Sequence, residues 1–153
     1  MTEKTIAVNR KARHDYFIDD TLEAGIVLLG TEIKSIRAGQ ANLRDSYAQI
    51  KNGEVWLVNT HIAAYQQAGR DSHEPRRTRK LLLHRYQIHR LVQKMQTKGY
   101  TLIPLRIYLK DNRAKVELGL ARGKRQYDKR EAIAERDADR EMDRAARRYE
   151  IGD

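Results

Sequence analysis

Apolar and polar residues alternate one for one in two stretches of the chain. In "KVELGLA" (115–121), Val116, Leu118 and Leu120 alternate with Lys115, Glu117 and Gly119. In "LRIYL" (105–109), Leu105, Ile107 and Leu109 alternate with Arg106 and Tyr108. A period of two sends successive side chains to opposite faces, so each stretch predicts a strand with one face in a core and one in water. Asp111-Asn112 between them fits a hairpin turn. Another hairpin is predicted at Asn52-Gly53, which joins "SYAQIK" (46–51) to "EVWLVNT" (54–60), because both residues tolerate positive φ. "GIVLL" (25–29) reads as a fifth strand. Pro104 lacks a backbone N–H and belongs at a strand start or an edge. Trp56 alternates with leucine-bearing positions, which predicts a core or barrel-face residue rather than a platform for bases.

The period changes in two segments. "HRYQIHRLVQKMQTKG" (84–99) sets Ile88, Leu91, Val92 and Met95 at helical spacing and stops at Gly99. "TEIKSIRAG" (31–39) places Ile33 and Ile36 three apart, with Thr31 as the expected cap and Gly39 as the end. "RDSHEPRRTRK" (70–80) has no aliphatic or aromatic side chain and is expected to be a loop, mobile when unbound. Five or six short strands with one or two helices predict a mainly β fold, a small closed or nearly closed antiparallel barrel with flanking helices.

After the last alternating strand comes a basic handle, "ARGKRQYDKR" (121–130). There Arg122, Lys124, Arg125, Lys129 and Arg130 surround Tyr127 and Asp128. Beyond it, Ala138, Met142, Ala145 and Tyr149 form only a thin apolar stripe. That stripe is too small to offset the entropy of ordering more than twenty residues. The expected organisation is a barrel body over 1–121 and a tail over 122–153, disordered when free and helical when a partner supplies the missing surface.

Charge narrows the class of partner. The chain of 153 residues carries 31 Lys and Arg against 21 Asp and Glu, a formal net charge of +10. Such a balance favours polyanions, and nucleic acid first among them. The excess gathers in "NRKARH" (9–14), "RRTRK" (76–80) and the handle, while acids outnumber bases after Arg130. The absence of cysteine excludes disulfides and thiolate metal sites. No apolar run has signal-peptide or membrane-spanning length, so a soluble, cytoplasmic protein without a membrane partner is expected.

Candidate chemistry is sparse. Asp19, Asp20 and Glu23 in "DDTLE" could hold magnesium for a nuclease, but no second acidic group stands at a matching spacing, and turn carboxylates are the favoured reading. Glu23 alone stands out in a basic protein, since a carboxylate can accept from a guanine edge or orient an arginine. His84 and His89, five apart, do not share a helical face and make poor metal partners. His14, among cations, is equally a phosphate or base contact and an ordinary surface histidine. No phosphate loop, activated nucleophile or ligand set appears, so neither an enzyme nor a metal or cofactor is expected. The residues themselves describe a basic barrel that grips folded or single-stranded nucleic acid. A translation factor or RNA chaperone of barrel fold fits them, and an RNA-processing enzyme using the three carboxylates stays open.

Five motifs carry something more specific. "NRKARHDYFI", "EAGIVLLGTEIKSIRAG", "DSYA", "TRKLLLHRYQIHRL" and "GLARGKRQYDKR" follow in order across residues 6–130, and together they resemble the small protein B family, the bacterial partners of transfer-messenger RNA. The resemblance implies an oligonucleotide-binding-type barrel that binds the tRNA-like domain of transfer-messenger RNA as a monomer and brings it to stalled ribosomes for trans-translation. It implies RNA contacts at Asn9, Lys11, Arg13, Glu23, Lys80 and Leu82, and the same motifs extend the set to Arg10, His14, Lys34 and Arg79. It also implies that the tail occupies the small-subunit decoding centre and the empty message channel. There Gly123 would allow an exit bend and Tyr127 would stack on a base. Lys124, Arg125, Lys129 and Arg130, with Asp128 among them, would meet ribosomal RNA.

Overall fold

The computed structural model describes residues 2–96 and 99–124. Its elements run β1 (Glu3–Val8), α1 (Ala12–Asp15), β2 (Tyr16–Ile26), α2 (Gly30–Arg37), β3 (Ala41–Asn42), β4 (Tyr47–Lys51), β5 (Glu54–Val58), β6 (His61–Ile62), β7 (Arg79–Leu82), α3 (Arg85–Met95), β8 (Tyr100–Lys110) and β9 (Arg113–Gly123). Seven strands pair in the order β1-β8-β4-β5-β7-β2-β9, and β9 pairs again with β8. Six of them therefore close into a ring of antiparallel pairs with β1 appended to β8, the barrel expected from the sequence. Closure removes the free edges that an open sheet would present.

Both hairpins form where the turn residues allow. Asn52 and Gly53 have φ of 54° and 73°, and Asp111 and Asn112 have 51° and 66°, the left-handed pair that suits the twist of the flanking strands. Along β9 the alternation holds throughout. Val116, Leu118 and Leu120 enter the main core with Val55, Leu57, Leu81 and Ile107, and Gly119 and Ala121 face the other way. Trp56 lies on the outer barrel face, half-buried between the fully buried Val55 and Leu57.

Along β8 the alternation breaks. The β8–β9 register shifts between Pro104 and Arg106. Leu105 therefore joins Ala12, Ile103 and Ala121 in a second small cluster, away from Ile107 and Leu109. Leu105 then packs on Gly119, where a Cβ would stand 3.1 Å from its side chain. Pro104 is thus inside a strand, contrary to expectation. It is tolerated because it falls at this bulge and between the residues of β8 that pair with β4 (Leu102) and with β1 (Arg106 onward).

Other expectations shift as well. β2 begins at Tyr16, so the carboxylates of "DDTLE" lie on a continuous strand rather than in a turn, and Val27 to Leu29 lie beyond its end. β1 had no clear alternation to announce it; pairing with β8 recruits it. The cap of α2 is Leu29, whose N–H donates to the Glu32 carboxylate at 2.7 Å. Thr31 instead hydrogen-bonds His73 Nδ1 at 2.9 Å. In α3 the apolar stripe holds except at Val92, which is exposed. β9 continues to Gly123, two residues past the expected end of the body.

Candidate nucleic-acid interface

The first basic cluster occupies the turn between β1 and α1. Asn9 anchors it. Its N–H donates to Leu105 O at 2.8 Å and its side-chain amide donates to Pro104 O at 3.0 Å, so the β8 bulge supplies both acceptors. Lys11, Arg13 and His14 are exposed, as is Arg10, and His14 Nδ1 lies 2.9 Å from Asp15 Oδ1. Arg10 and Lys11 line an open groove of about 680 Å³ together with Asp15 and the 42–46 loop, which carries Arg44 and Asp45.

The start of the handle meets the same end of the barrel. Gly123, expected to permit a bend, pairs with Tyr16 in the sheet, and Lys124 Nζ donates to Arg13 O at 3.0 Å. Arg122 grips Asp19 with two bonds of 3.0 and 3.2 Å, and the Tyr100 hydroxyl donates to the same carboxylate. The bond from Tyr100, with the Arg122 charge, holds the Asp19 carboxyl below its ordinary range despite partial burial. The Arg122 and Lys124 cations stand 5.5 and 5.0 Å from the Phe17 ring centroid. Arg125, Tyr127, Asp128, Lys129 and Arg130, and the expected tail conformation, lie outside the described residues.

A second groove, of about 620 Å³, holds Glu23 and Leu82. Gly25 of β2 pairs with Leu82 of β7 on one side and with Lys115 of β9 on the other. Alternation places Glu23 on the same outer face as Gly25. Leu82 is 52% exposed. Glu23 Oε2 accepts from the Tyr108 hydroxyl and, at 3.5 Å, from Lys110 Nζ. The Tyr108 bond and the neighbouring lysine charges keep the Glu23 carboxyl below its ordinary range, so it is ionised at neutral pH. Sequence reasoning missed three lining residues, Lys115, His84 and Tyr86. Lys115 was legible as a polar position on an alternating strand. His84 and Tyr86 stack with ring centroids 5.5 Å apart at the start of α3, a contact that no spacing announces. Lys80, two residues before Leu82 on the same face of β7, lies 3.6 Å from Glu54.

Arg79 does not belong to either groove. It is fully buried, and its guanidinium donates to Glu32, to Thr60 O at 2.7 Å and to Pro75 O at 3.0 Å. Glu32, also fully buried, takes a second guanidinium from Arg77 at 2.6 Å. Burial pushes the Glu32 carboxyl up, but its bonds from Arg77, the Leu29 N–H and Arg79 outweigh that and leave it lowered. The expected loop over 70–80 gives its last two residues to β7, and the rest is tied to the body through Arg77, Arg79 and His73, whose Nε2 bonds Ile62 O at 2.8 Å. Lys34 is exposed on α2, 5.3 Å from the Tyr65 ring.

The three carboxylates of "DDTLE" go to separate partners. Asp19 serves Tyr100 and Arg122, Asp20 lies 3.6 Å from Lys94, and Glu23 serves Tyr108. Among the described residues no three His, Asp or Glu side chains converge on a cation-sized site.

A model of the SmpB protein family matches residues 6–148. The chain belongs to the SmpB family. The SsrA-binding protein of Desulforudis audaxviator is 62% identical over 145 residues, 95% of each chain. That of Thermobifida fusca is 63% identical over 145 residues, 95% of this chain and 91% of the relative. A solved SmpB-type chain described under "tmRNA-SmpB: a journey to the center of the bacterial ribosome" superposes with a TM-score of 0.66 at 50% identity, covering 82% of this chain and 92% of that one. The SmpB match spans both grooves and the start of the handle.

Proposed function

We propose that this chain binds the tRNA-like domain of transfer-messenger RNA and delivers it to stalled ribosomes, where trans-translation tags the unfinished peptide and frees the ribosome. The observation that carries this reading is the identity of 62% to an SsrA-binding protein along 95% of the chain. The second groove supports it chemically. An ionised carboxylate at the centre of a basic face repels phosphate, so Glu23 is suited to accept from donors on a base edge. Leu82 offers an apolar seat to an unstacked loop base, and Lys80 and Lys115 neutralise phosphates beside it. Such a surface reads RNA by its loops and shape, because side chains cannot enter the deep major groove of A-form helix. The family is one of RNA-binding proteins, and no catalytic step is assigned to the chain. Work on the ribosome would keep it in the cytoplasm.

The tail would take the place of the missing codon–anticodon pairing, with Tyr127 stacked in the decoding centre and the segment beyond it helical in the message channel. The experiment that tests the whole reading is capture of the full chain from a bacterial lysate and sequencing of the bound RNA. Transfer-messenger RNA enriched far above ordinary tRNA is expected; equal recovery would reject it. Truncation after Lys124 tests the tail separately. RNA binding should persist, because Arg122 and Gly123 keep their places in the sheet, and single-round tagging on a truncated message should be lost. Tagging at the full rate would reject the decoding role.

A further inference from the structure

The loop that carries "DSYA" has a geometry that the second groove does not use. Arg44 N–H donates to Asn42 Oδ1 at 2.8 Å, and Asn59 Nδ2 donates to Asp45 O at 3.1 Å. Ser46 Oγ donates to Asn59 O at 3.3 Å and accepts from Thr60 Oγ1 at 3.0 Å. Leu43 is sunk in the core beneath the loop. Asp45 and Asn59 both hold positive φ, 61° and 65°, a conformation that non-glycine residues seldom adopt. A short segment is thus fixed at every residue, and its outcome is to hold the exposed Arg44 and Asp45 in the groove that Arg10 and Lys11 also line.

Several cations of the body are held by acids. Arg77, Arg79, Lys80, Lys94, Arg106, Lys110 and Arg122 each face a carboxylate. Arg10, Lys11 and Arg44, like Lys115 of the second groove, make no side-chain hydrogen bond or ion pair among the described residues, although Asp15 and Asp45 line the first groove with them. Three cations free of ion pairs among the described residues in one trough suit a sugar–phosphate chain. Of the two carboxylates there, Asp15 lies against His14, whereas Asp45 would repel phosphate and is suited to a neutral donor on that chain. The ribose 2′-hydroxyl is such a donor and marks RNA against DNA.

We propose that this groove is a second contact to transfer-messenger RNA, in which Arg44, with Arg10 and Lys11, holds phosphates while Asp45 accepts from a 2′-hydroxyl. The contact rests on the RNA-binding function argued above and adds Arg44 and Asp45 to it. The test is filter binding of the full chain to transfer-messenger RNA at several salt concentrations. Arg44→Ala should weaken binding about tenfold, as loss of a charge-assisted bond does, and reduce the salt slope by about one. Arg44→Lys should restore the slope. Asp45→Asn keeps the left-handed backbone that asparagine tolerates, so the loop should stand. It should leave the slope unchanged while shrinking the preference for the RNA over a variant deoxy-substituted in its tRNA-like domain. Wild-type affinity and slope in Arg44→Ala, with Asp45→Asn unchanged in RNA-over-deoxy preference, would overturn the groove. Failure of the wild-type chain to prefer transfer-messenger RNA over tRNA would instead overturn the functional reading itself. Binding of Arg44→Ala to ribosomes lacking transfer-messenger RNA should be unaffected; a selective loss there would assign the groove to ribosomal RNA and reject the proposal.

Discussion

Two runs of the chain, "NRKARH" (9–14) and "RRTRK" (76–80), look alike in composition and fold differently. In the first, Arg10, Lys11, Arg13 and His14 stay on the surface, and only Asn9, which bonds the β8 bulge, and Ala12 are drawn inward. In the second, Arg79 is fully buried and Arg77 is drawn to the same buried Glu32. The difference lies in the backbone. The first run forms a turn and one short helical turn around a single buried alanine. The second feeds into β7, whose alternation sends Arg79 inward and Lys80 outward. Charge counted along a sequence therefore overstates the binding face, because part of it holds the fold together from inside.

The contrast breaks most visibly at Glu32. Glu32→Ala strands the buried Arg79 without a counter-charge and should cost about 3–5 kcal/mol, enough to unfold many small domains. Lys11→Ala, in the outer run, should stay within about 0.5 kcal/mol of wild type. Urea denaturation of the two variants measures both; equal stability would mean that the inner pair is not structural. Acid sharpens the same point. The Glu32 carboxyl is lowered from an ordinary value of 4.5, so the folded state binds its proton less readily than the unfolded chain. Its contribution is present above that ordinary value and is lost as pH falls from there through the lowered folded value. Thermal melts of wild type should therefore fall steeply below the ordinary carboxylate range, and Glu32→Gln, already destabilised, should fall less over the same interval.

The outer faces separate by selectivity rather than stability. Glu23→Ala should leave the melt nearly unchanged and reduce the discrimination between transfer-messenger RNA and ordinary tRNA, by about 1–3 kcal/mol if one base contact is lost. Competition titrations measure the ratio, and an unchanged ratio would remove Glu23 from recognition.

What could be read beforehand follows the range of the interactions. β9 and the two hairpins were legible, because alternation and Asn-Gly or Asp-Asn turns are local signals that tertiary contacts here reinforce. The switch of Leu105 to a second cluster was not, since a bulge depends on β9 and β1 pairing with β8 at once. The 70–80 segment lacked apolar side chains and so looked loose; its ties are polar and reach Glu32, more than forty residues away. In the candidate site, Glu23, Leu82 and the 9–14 cluster were found as charges or motifs. Arg79 was misplaced, because composition does not say which face of a strand a cation takes. Lys115 was legible as an outward position but not as a groove residue, and Arg44 and the His84–Tyr86 stack became visible only when separate strands and loops met around a groove.

The smallest expected effect belongs to Lys80, the outward neighbour of Arg79, and it isolates orientation as the cause of the contrast. Lys80 is 41% exposed at its side chain and lies 3.6 Å from an equally exposed Glu54. Such a surface pair contributes about 0–1 kcal/mol, so Lys80→Ala should leave the melt within error of wild type. If Lys80 meets a phosphate, the same change should weaken RNA binding modestly and alike for related RNAs, and reduce the salt slope by about one. Arg79→Ala, one residue earlier, should do the reverse, lowering stability by several kcal/mol. At temperatures where it remains folded, it should bind RNA with the wild-type slope. Paired melts and salt titrations on the two variants decide the matter. A lowered slope in folded Arg79→Ala, or an unchanged slope in Lys80→Ala, would show that the strand's inward and outward positions do not divide fold from recognition.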